Sequence, residues 1–373
     1  MTPETEADLA EIVRGANDPL SIEGGGTRPI GGPRGGTRLS TRAMTGITLY
    51  EPGALTLVVR AGTALEEVEQ TLAAEGQALA FEPMDHRGIL GTTGTPTIGG
   101  VVAMNASGPR RVSSVGACRD HLLGVRFVDG QGRIVRNGGR VMKNVTGYDL
   151  VKLMAGSMGR LGVLTEVSLK VLPAPRHTAT LSCEGLADGA AVALLARALG
   201  SPYEVTGAAH LQAGASGVSR TLVRIEGAEA SVAYRAEQLR ARLSDAGEIT
   251  LETDREANAE TWAGIRDAAP FHDHPGEVWR LSVKPSDAPA LVAGLEDARA
   301  IYDWGGGLVW LTLPEGADGA ALRDAVSGLG GHATRYRGGR GPALHPPAPA
   351  IATLEAGLRA RFDPRGIFAG PPA

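Results

Sequence analysis

Cysteine is nearly missing from this chain of 373 residues: Cys118 and Cys183 are the whole supply. Two thiols cannot make a disulfide scaffold, a four-cysteine zinc site or an iron–sulfur cluster, and so small a number points to a reducing compartment. A basic excess is missing too. The 37 Lys and Arg against 41 Asp and Glu leave a net charge of −4, which removes the electrostatic case for nucleic acid. No apolar run approaches the ~20 residues of a membrane helix. Met1 to Arg14 is too acidic and polar for a secretory h-region. The expected location is the cytoplasm, with any membrane association made through partners.

Glycine is abundant, at 53 residues, about twice the usual share. It is clustered, not periodic, so a collagen-like fibre is excluded. The hydrophobic fraction of 43% and charged fraction of 21% fit a globular protein with room for two domains. The richest cluster runs from Ile22 to Pro29 and contains Gly24, Gly25 and Gly26. Bare glycine amides leaving a strand can meet a phosphate, since no Cβ holds the ligand away. Pro29 stands where a dinucleotide fingerprint needs its third glycine, and no lysine follows Gly26 as a P-loop would require. No helical pattern starts here either. The alternative for this loop alone is a flexible surface turn.

A second cluster, Gly94 to Gly100, precedes a short apolar run, Val101 to Ala106, with room for one helical turn. Thr97 offers a hydroxyl, and Gly99 and Gly100 offer amides at a helix start, where anions are favoured. Asn105, Ser107 and Gly108 close the segment. A third cluster, Ser157 to Glu166, leads a glycine-rich turn into an alternating strand, where backbone can approach a flat ligand. Two anion-capable loops suit a pyrophosphate held between them.

Other elements are legible from pattern. A helix is expected over residues 3–15, with Leu9, Ile12 and Val13 on one face. A strand over 55–60 leads to a helix opened by a Thr63/Glu66 capping box and closed at Gly76. A hairpin over 125–135 turns at Asp129 to Gly132. Leu172 to His177 reads as a linker. Beyond it, strands are expected at 221–225 and 278–283 and a helix at 228–243, then a last helix at 348–362 before a tail whose Ile367 and Phe368 dock.

Taken in order, Glu23-Gly-Gly-Gly-Thr-Arg28, Thr97-Ile-Gly-Gly-Val-Val-Ala-Met-Asn-Ala-Ser-Gly108, Arg119-Asp-His-Leu-Leu-Gly-Val125, Lys143-Asn-Val-Thr-Gly-Tyr-Asp-Leu150 and Gly159-Arg-Leu-Gly-Val-Leu-Thr-Glu166 resemble the FAD-binding domain of the vanillyl-alcohol oxidase and p-cresol methylhydroxylase (PCMH) class. Phe81-Glu-Pro, Ser107-Gly-Pro-Arg-Arg, Val141-Met-Lys-Asn-Val, Trp279-Arg-Leu-Ser-Val and Asp303-Trp-Gly-Gly-Gly extend the resemblance to the smaller FAD-binding subunits of bacterial glycolate oxidases.

The resemblance implies an α+β fold. A PCMH-type FAD domain of two α+β subdomains would span 1–174 and a smaller mixed α+β cap 175–345, with 346–373 packing back. It implies that Gly24, Gly25, Gly26, Thr27 and Arg28 wrap the FAD pyrophosphate. Thr97, Ile98, Gly99, Gly100, Asn105, Ser107 and Gly108 would form the opposite wall, with Asp120, Gly162 and Val163 also at the cofactor. It implies a small 2-hydroxy acid as substrate, hydride passing to flavin, and two partners: a larger FAD-containing catalytic subunit and an iron–sulfur subunit.

Departures from the resemblance carry weight. Relatives with covalent flavin place a histidine where Thr27 stands, so a non-covalent FAD is expected, and Cys118 reads as a buried small residue. The metal-site motifs of 2-hydroxy-acid dehydrogenases are replaced by Trp304-Gly-Gly-Gly-Leu-Val-Trp310 and Gly331-His-Ala-Thr-Arg335, so no metal is expected. His272-Asp-His274 lies in a proline-flanked loop and lacks a third ligand. Arg280 could grip a carboxylate, the alternatives being a surface ion pair or a cation–π contact. His86 could carry a proton, the alternative being an exposed loop histidine. A stand-alone dehydrogenase of another acid or alcohol, or a flavin-holding subunit without chemistry, stays open.

Overall fold

The computed structural model describes residues 1–32, 35–113, 115–140, 147–214 and 217–370. The expected motif at 141–145, and the first half of that at 143–150, therefore lie outside the described residues. Two large antiparallel sheets and one small parallel pair carry the chain. The first helix, Glu6–Gly15, starts at a Thr5/Asp8 capping box and buries Leu9 and Val13. It covers a cluster with Leu20, Leu39, Val128 and Val163.

Strand Leu20–Glu23 pairs in parallel with Thr37–Ser40. A parallel pair needs a crossover of about a dozen residues. Here the glycine cluster after Glu23 is itself the crossover, with no helix among its described residues. That is why neither glycine-loop pattern applied. A five-stranded antiparallel sheet follows, in the order Ile47–Glu51, Thr56–Arg60, Val163–Lys170, Leu122–Val128, Ile134–Gly138. Val163–Lys170 is its central strand, and an irregularity at Thr165 puts Leu164 in one core cluster with Val167 and Leu169 while Val163 packs in the cluster under the first helix.

The expected Thr63/Glu66 capping box is absent. Helix Leu65–Ala74 opens at Ala64 with no side-chain cap. Thr63 is fully buried, and its hydroxyl accepts the Gly46 N–H at 2.9 Å instead. The helix does close at Gly76, which takes φ +64°. The short helix Ile98–Met104 starts three residues earlier than expected and absorbs Gly99 and Gly100.

The linker expected at Leu172 is partly strand: Leu172–Pro173 pairs with Gln77–Ala78. The second large sheet has eight antiparallel strands, ordered Ile249–Glu252, His177–Glu184, Arg220–Gly227, Val205–Leu211, Arg299–Asp303, Leu308–Leu313, Glu277–Ser282, His332–Arg337. Helices Asp188–Leu199, Glu229–Leu243 and Gly319–Gly328 cover one face, burying Leu195, Leu239 and Val326. Part of the other face packs Val278, Ile301 and Trp310 against Met84 and Ile89 of the first half.

The tail docks as its apolar residues suggested. Leu20 N–H donates to the Ile367 carbonyl at 2.6 Å, Ala369 N–H donates to the Leu20 carbonyl at 2.9 Å, and Phe368 is fully buried. The last helix, Pro349–Phe362, buries none of its residues.

Candidate cofactor cleft and the joint above it

A cleft of about 400 Å³ lies where the glycine crossover, helix Ile98–Met104 and the turn before Val163 meet. That is within the usual range for ligand sites, roughly 300–1,000 Å³. Of the residues singled out from sequence, Gly24, Gly25, Gly26, Thr27, Arg28, Thr97, Gly99, Gly100, Gly162 and Val163 line it. Ile98, Asn105, Ser107, Gly108 and Asp120 are not in its lining.

The backbone explains the division. The two glycine loops do not face each other across a gap; they touch. A Cβ on Gly25 would sit 1.5 Å from the Thr95 carbonyl oxygen, and one on Gly94 would sit 1.8 Å from that of Gly25. They form one wall. The helix-start amides are also spent within the protein: Ile98 N–H goes to Thr63 O, Gly99 N–H to Ala61 O, and Gly100 N–H to Thr97 Oγ1. Gly99 is glycine because a Cβ would strike Ala61, at 2.6 Å. Gly162 likewise lets the turn pack on Phe127, 2.7 Å from a would-be Cβ.

Asn105 takes φ +49° to end its helix, and its Oδ1 accepts Arg119 N–H at 2.9 Å. Ser107 Oγ accepts Cys118 N–H at 2.9 Å. Asp120 Oδ2 accepts Ala117 N–H at 2.8 Å. These three hold the next turn of chain together. The Gly108 carbonyl accepts the Trp304 indole N–H at 3.0 Å, across to the eight-stranded sheet.

What remains open is the glycine crossover itself. Among the described residues, the amides of Gly24, Gly25, Gly26, Thr27 and Arg28 have no acceptor. Ser157 Oγ is buried, lines the cleft and has no hydrogen-bond partner among the described residues. Buried donors are normally satisfied. A run of open amides beside an orphaned hydroxyl suits a polar group such as a pyrophosphate, so the residues present fit a dinucleotide. Sequence reasoning had named Ser157 only as the start of its segment. The lining also holds Arg38 and Thr41, which belong to no glycine motif, and Met104 and Met158, which stand inside the second and third clusters without a polar group to mark them.

Arg28 closes one end of the cleft. Its Nη1 donates to Thr27 Oγ1 and its Nε to His86 Nδ1, at 3.3 and 3.2 Å. His86 Nδ1 also lies 3.1 Å from the Met84 carbonyl. One nitrogen cannot accept from Arg28 and donate to Met84 at once. Arg28 Nη2 already reaches that carbonyl, at 3.4 Å, so the tautomer protonated at Nε2 satisfies more groups. His86 is not the exposed loop histidine expected; it is 3% exposed. Burial first, then the Arg28 charge, push its pKa down to about 3, so it is neutral at physiological pH and not poised as a proton carrier. Burial also lowers the Arg28 pKa, to about 10. The His86 ring stacks on Tyr336, 5.7 Å between centroids.

Arg280 makes the cation–π contact, but with Trp304, at 5.2 Å, and not with its neighbour Trp279. Trp279 points to the opposite face and is fully buried. His272 and His274 serve separate partners, the Asp267 carbonyl and the Gly276 N–H. Among the described residues no cluster of His, Cys, Asp and Glu could hold a metal ion. Cys118 is fully buried, and burial pushes its thiol pKa up.

A family described as an FAD binding domain matches residues 1–138. Over 98% of this chain and 95% of the relative, the sequence is 36% identical to the glycolate oxidase subunit GlcE of Escherichia coli. The chain belongs to the GlcE family. Its cofactor is FAD, and its relatives are FAD-linked oxidoreductases. A D-lactate dehydrogenase of Anaerostipes hadrus is 34% identical over 47% of this chain and 36% of its own length. Glycolate oxidase subunit GlcD of Bacillus subtilis is 33% identical over 44% of this chain and 34% of its own. These two matches therefore span well under two thirds of the relatives' length. In fold, an alkyldihydroxyacetonephosphate synthase superposes with a TM-score of 0.71 at 17% identity, over 99% of this chain and 76% of that one. Among the described residues no helix is long and apolar enough to cross a membrane.

Proposed function

We propose that this chain is the FAD-binding subunit of a glycolate, or related 2-hydroxy-acid, oxidase complex. The observation that carries the reading is the near full-length similarity to GlcE. Gly24 to Arg28 would hold the pyrophosphate through their open amides, Ser157 would add a hydroxyl, and Gly162 and Val163 would lie along the flat rings. Bound FAD supplies the hydride acceptor for oxidation of the carbon bearing the substrate hydroxyl.

This chain's own residues bind and orient. Arg28 brings positive charge to the cleft, and neutral His86 fixes the Arg28 fork. The cofactor would be non-covalent, since Thr27 offers no flavin-linking nitrogen and the Cys118 thiol is buried. The chain divides in this reading at about residue 174 into a cofactor domain and a cap, with the segment from 346 returning to the first. Partners would be a larger flavoprotein subunit and an iron–sulfur subunit. The complex would be cytoplasmic, meeting a membrane only through those partners.

The test is direct. The purified full chain should show a flavin spectrum, and anaerobic glycolate or D-lactate should bleach it, alone or after the larger subunit is added. A colourless chain that takes up no added FAD would sink the reading.

A further inference from the structure

We infer that Arg280, seconded by Arg111, is the seat for the carboxylate of the small acid that approaches the flavin. This rests on the function proposed above and names a residue for it.

Position comes first. Side chains alternate across a strand. In Glu277–Ser282, Trp279 and Leu281 enter the helix-covered core, so Arg280 faces the other way, with Val278. That is the face on which Val278 and Trp310 pack with Met84 and Ile89 of the first half. Trp310 is the cross-strand partner of Arg280 and meets Tyr336 edge-on, 4.9 Å between centroids. Tyr336 stacks on His86, and His86 accepts from Arg28 of the cleft lining. A short line of contacts thus joins the cleft to Arg280.

The second point is an unmet need. Guanidinium carries five donors. Among the described residues, the guanidinium groups of Arg280 and Arg111 have neither a hydrogen bond nor an ion pair, and both lie over the Trp304 ring, at 5.2 and 4.6 Å. Both are half-buried. Burying charge without an acceptor is costly, and the neighbouring arginines do not incur that cost: Arg110 and Arg224 each grip a glutamate.

The mount is rigid. Trp304 sits at φ +52°, its N–H donates to Asp303 Oδ1 at 2.7 Å, and its indole N–H donates to Gly108 O. Asp303 is an acid whose charge Arg280 favours. Burial raises its pKa to about 7, and one of its oxygens is held by the Trp304 amide. The other groups facing Arg280 are His86, His332, Tyr336 and Arg111. None of these supplies a negative charge. A planar carboxylate matches the arginine fork in shape and sign.

The test uses the FAD-loaded full chain and oxalate, a two-carbon acid anion with no hydroxyl to oxidise. Calorimetry and the flavin absorbance shift should both report saturable binding. Arg280→Met should weaken it at least tenfold and Arg111→Met by less, at unchanged FAD content. Arg280→Lys, which keeps the charge and loses the fork, should fall between. Unchanged oxalate affinity in all three variants would overturn the assignment. So would the absence of oxalate binding to a wild-type chain whose flavin a 2-hydroxy acid still reduces; that result leaves the proposed function standing. If no such acid reduces the flavin with every partner present, the proposed function falls, while oxalate calorimetry still decides the fate of Arg280.

Discussion

Arg110 and Arg111 are neighbours in sequence and opposites in environment. Arg110 donates through Nε and Nη2 to Glu226, at 3.0 and 2.8 Å, across the joint between the two large sheets. Arg224 returns the gesture, with Nη1 and Nη2 at 3.0 and 2.8 Å from Glu82. Four charges there form a closed set, with side chains between 4% and 18% exposed. Arg111, one residue on, shares the Trp304 ring with Arg280 and its side chain makes no ion pair among the described residues. One side of the joint is finished and the other is not. A charge that the fold neutralises serves cohesion, whereas a charge it leaves open is available to a ligand.

The sharpest way to break this contrast is Arg224→Met. It takes from buried Glu82 its two-bond partner, leaves Arg110 alone to offset two carboxylates, and removes the cation over Trp262, at 4.6 Å. Loss of one partner from a buried pair costs about 3–5 kcal/mol. Urea unfolding should show it as a lower midpoint. A loss under about 1 kcal/mol would mean that the closed set is ornamental.

Acid should separate two carboxyls at the same joint. Burial alone would raise the Glu82 pKa, but Arg224 and Arg110 outweigh it and the net shift is downward. A lowered folded pKa gives stability above the unfolded value, roughly 4.3, that is lost as pH falls through the folded one. Asp303 runs the other way. Burial raises its pKa to about 7. The folded chain therefore holds that proton more tightly, and stability should grow as pH falls from about 7 toward roughly 4. Unfolding midpoints across this range should flatten in Asp303→Asn. The fall below about pH 4 should soften in Glu82→Gln, which starts from a lower stability at neutral pH.

The sequence made the cofactor half legible because glycine leaves a mark. Gly25, Gly99 and Gly162 proved to be places where backbone must come close, while Gly24 and Gly26 leave room for the Thr97 and Glu23 side chains. Their reasons were less legible. Gly99 and Gly162 serve packing against Ala61 and Phe127, while among the described residues the first cluster keeps a run of five consecutive amides open. Asn105, Ser107 and Asp120 stood in the right motifs, yet their side chains stitch one turn to the next. Hydrogen bonds between segments far apart in sequence decide such matters, and periodicity cannot report them. The closed charge set was invisible for the same reason: Glu82 and Arg224 lie 142 positions apart. His86 was misjudged because its flanking residues look like a surface loop, while the eight-stranded sheet that buries it arrives from the far end of the chain.

The smallest stability effect should come from Arg111→Met and Arg280→Met. No acid loses its partner in either, and a cation–π contact is worth about 0.5–1 kcal/mol at partly exposed sites. Methionine also keeps apolar contact with the Trp304 ring. Unfolding midpoints near wild type, beside the large loss in Arg224→Met, would show that the open pair is not part of the structural frame. If Arg280→Met instead costs as much as Arg224→Met, Arg280 is holding the joint together, and its open guanidinium no longer argues for a ligand.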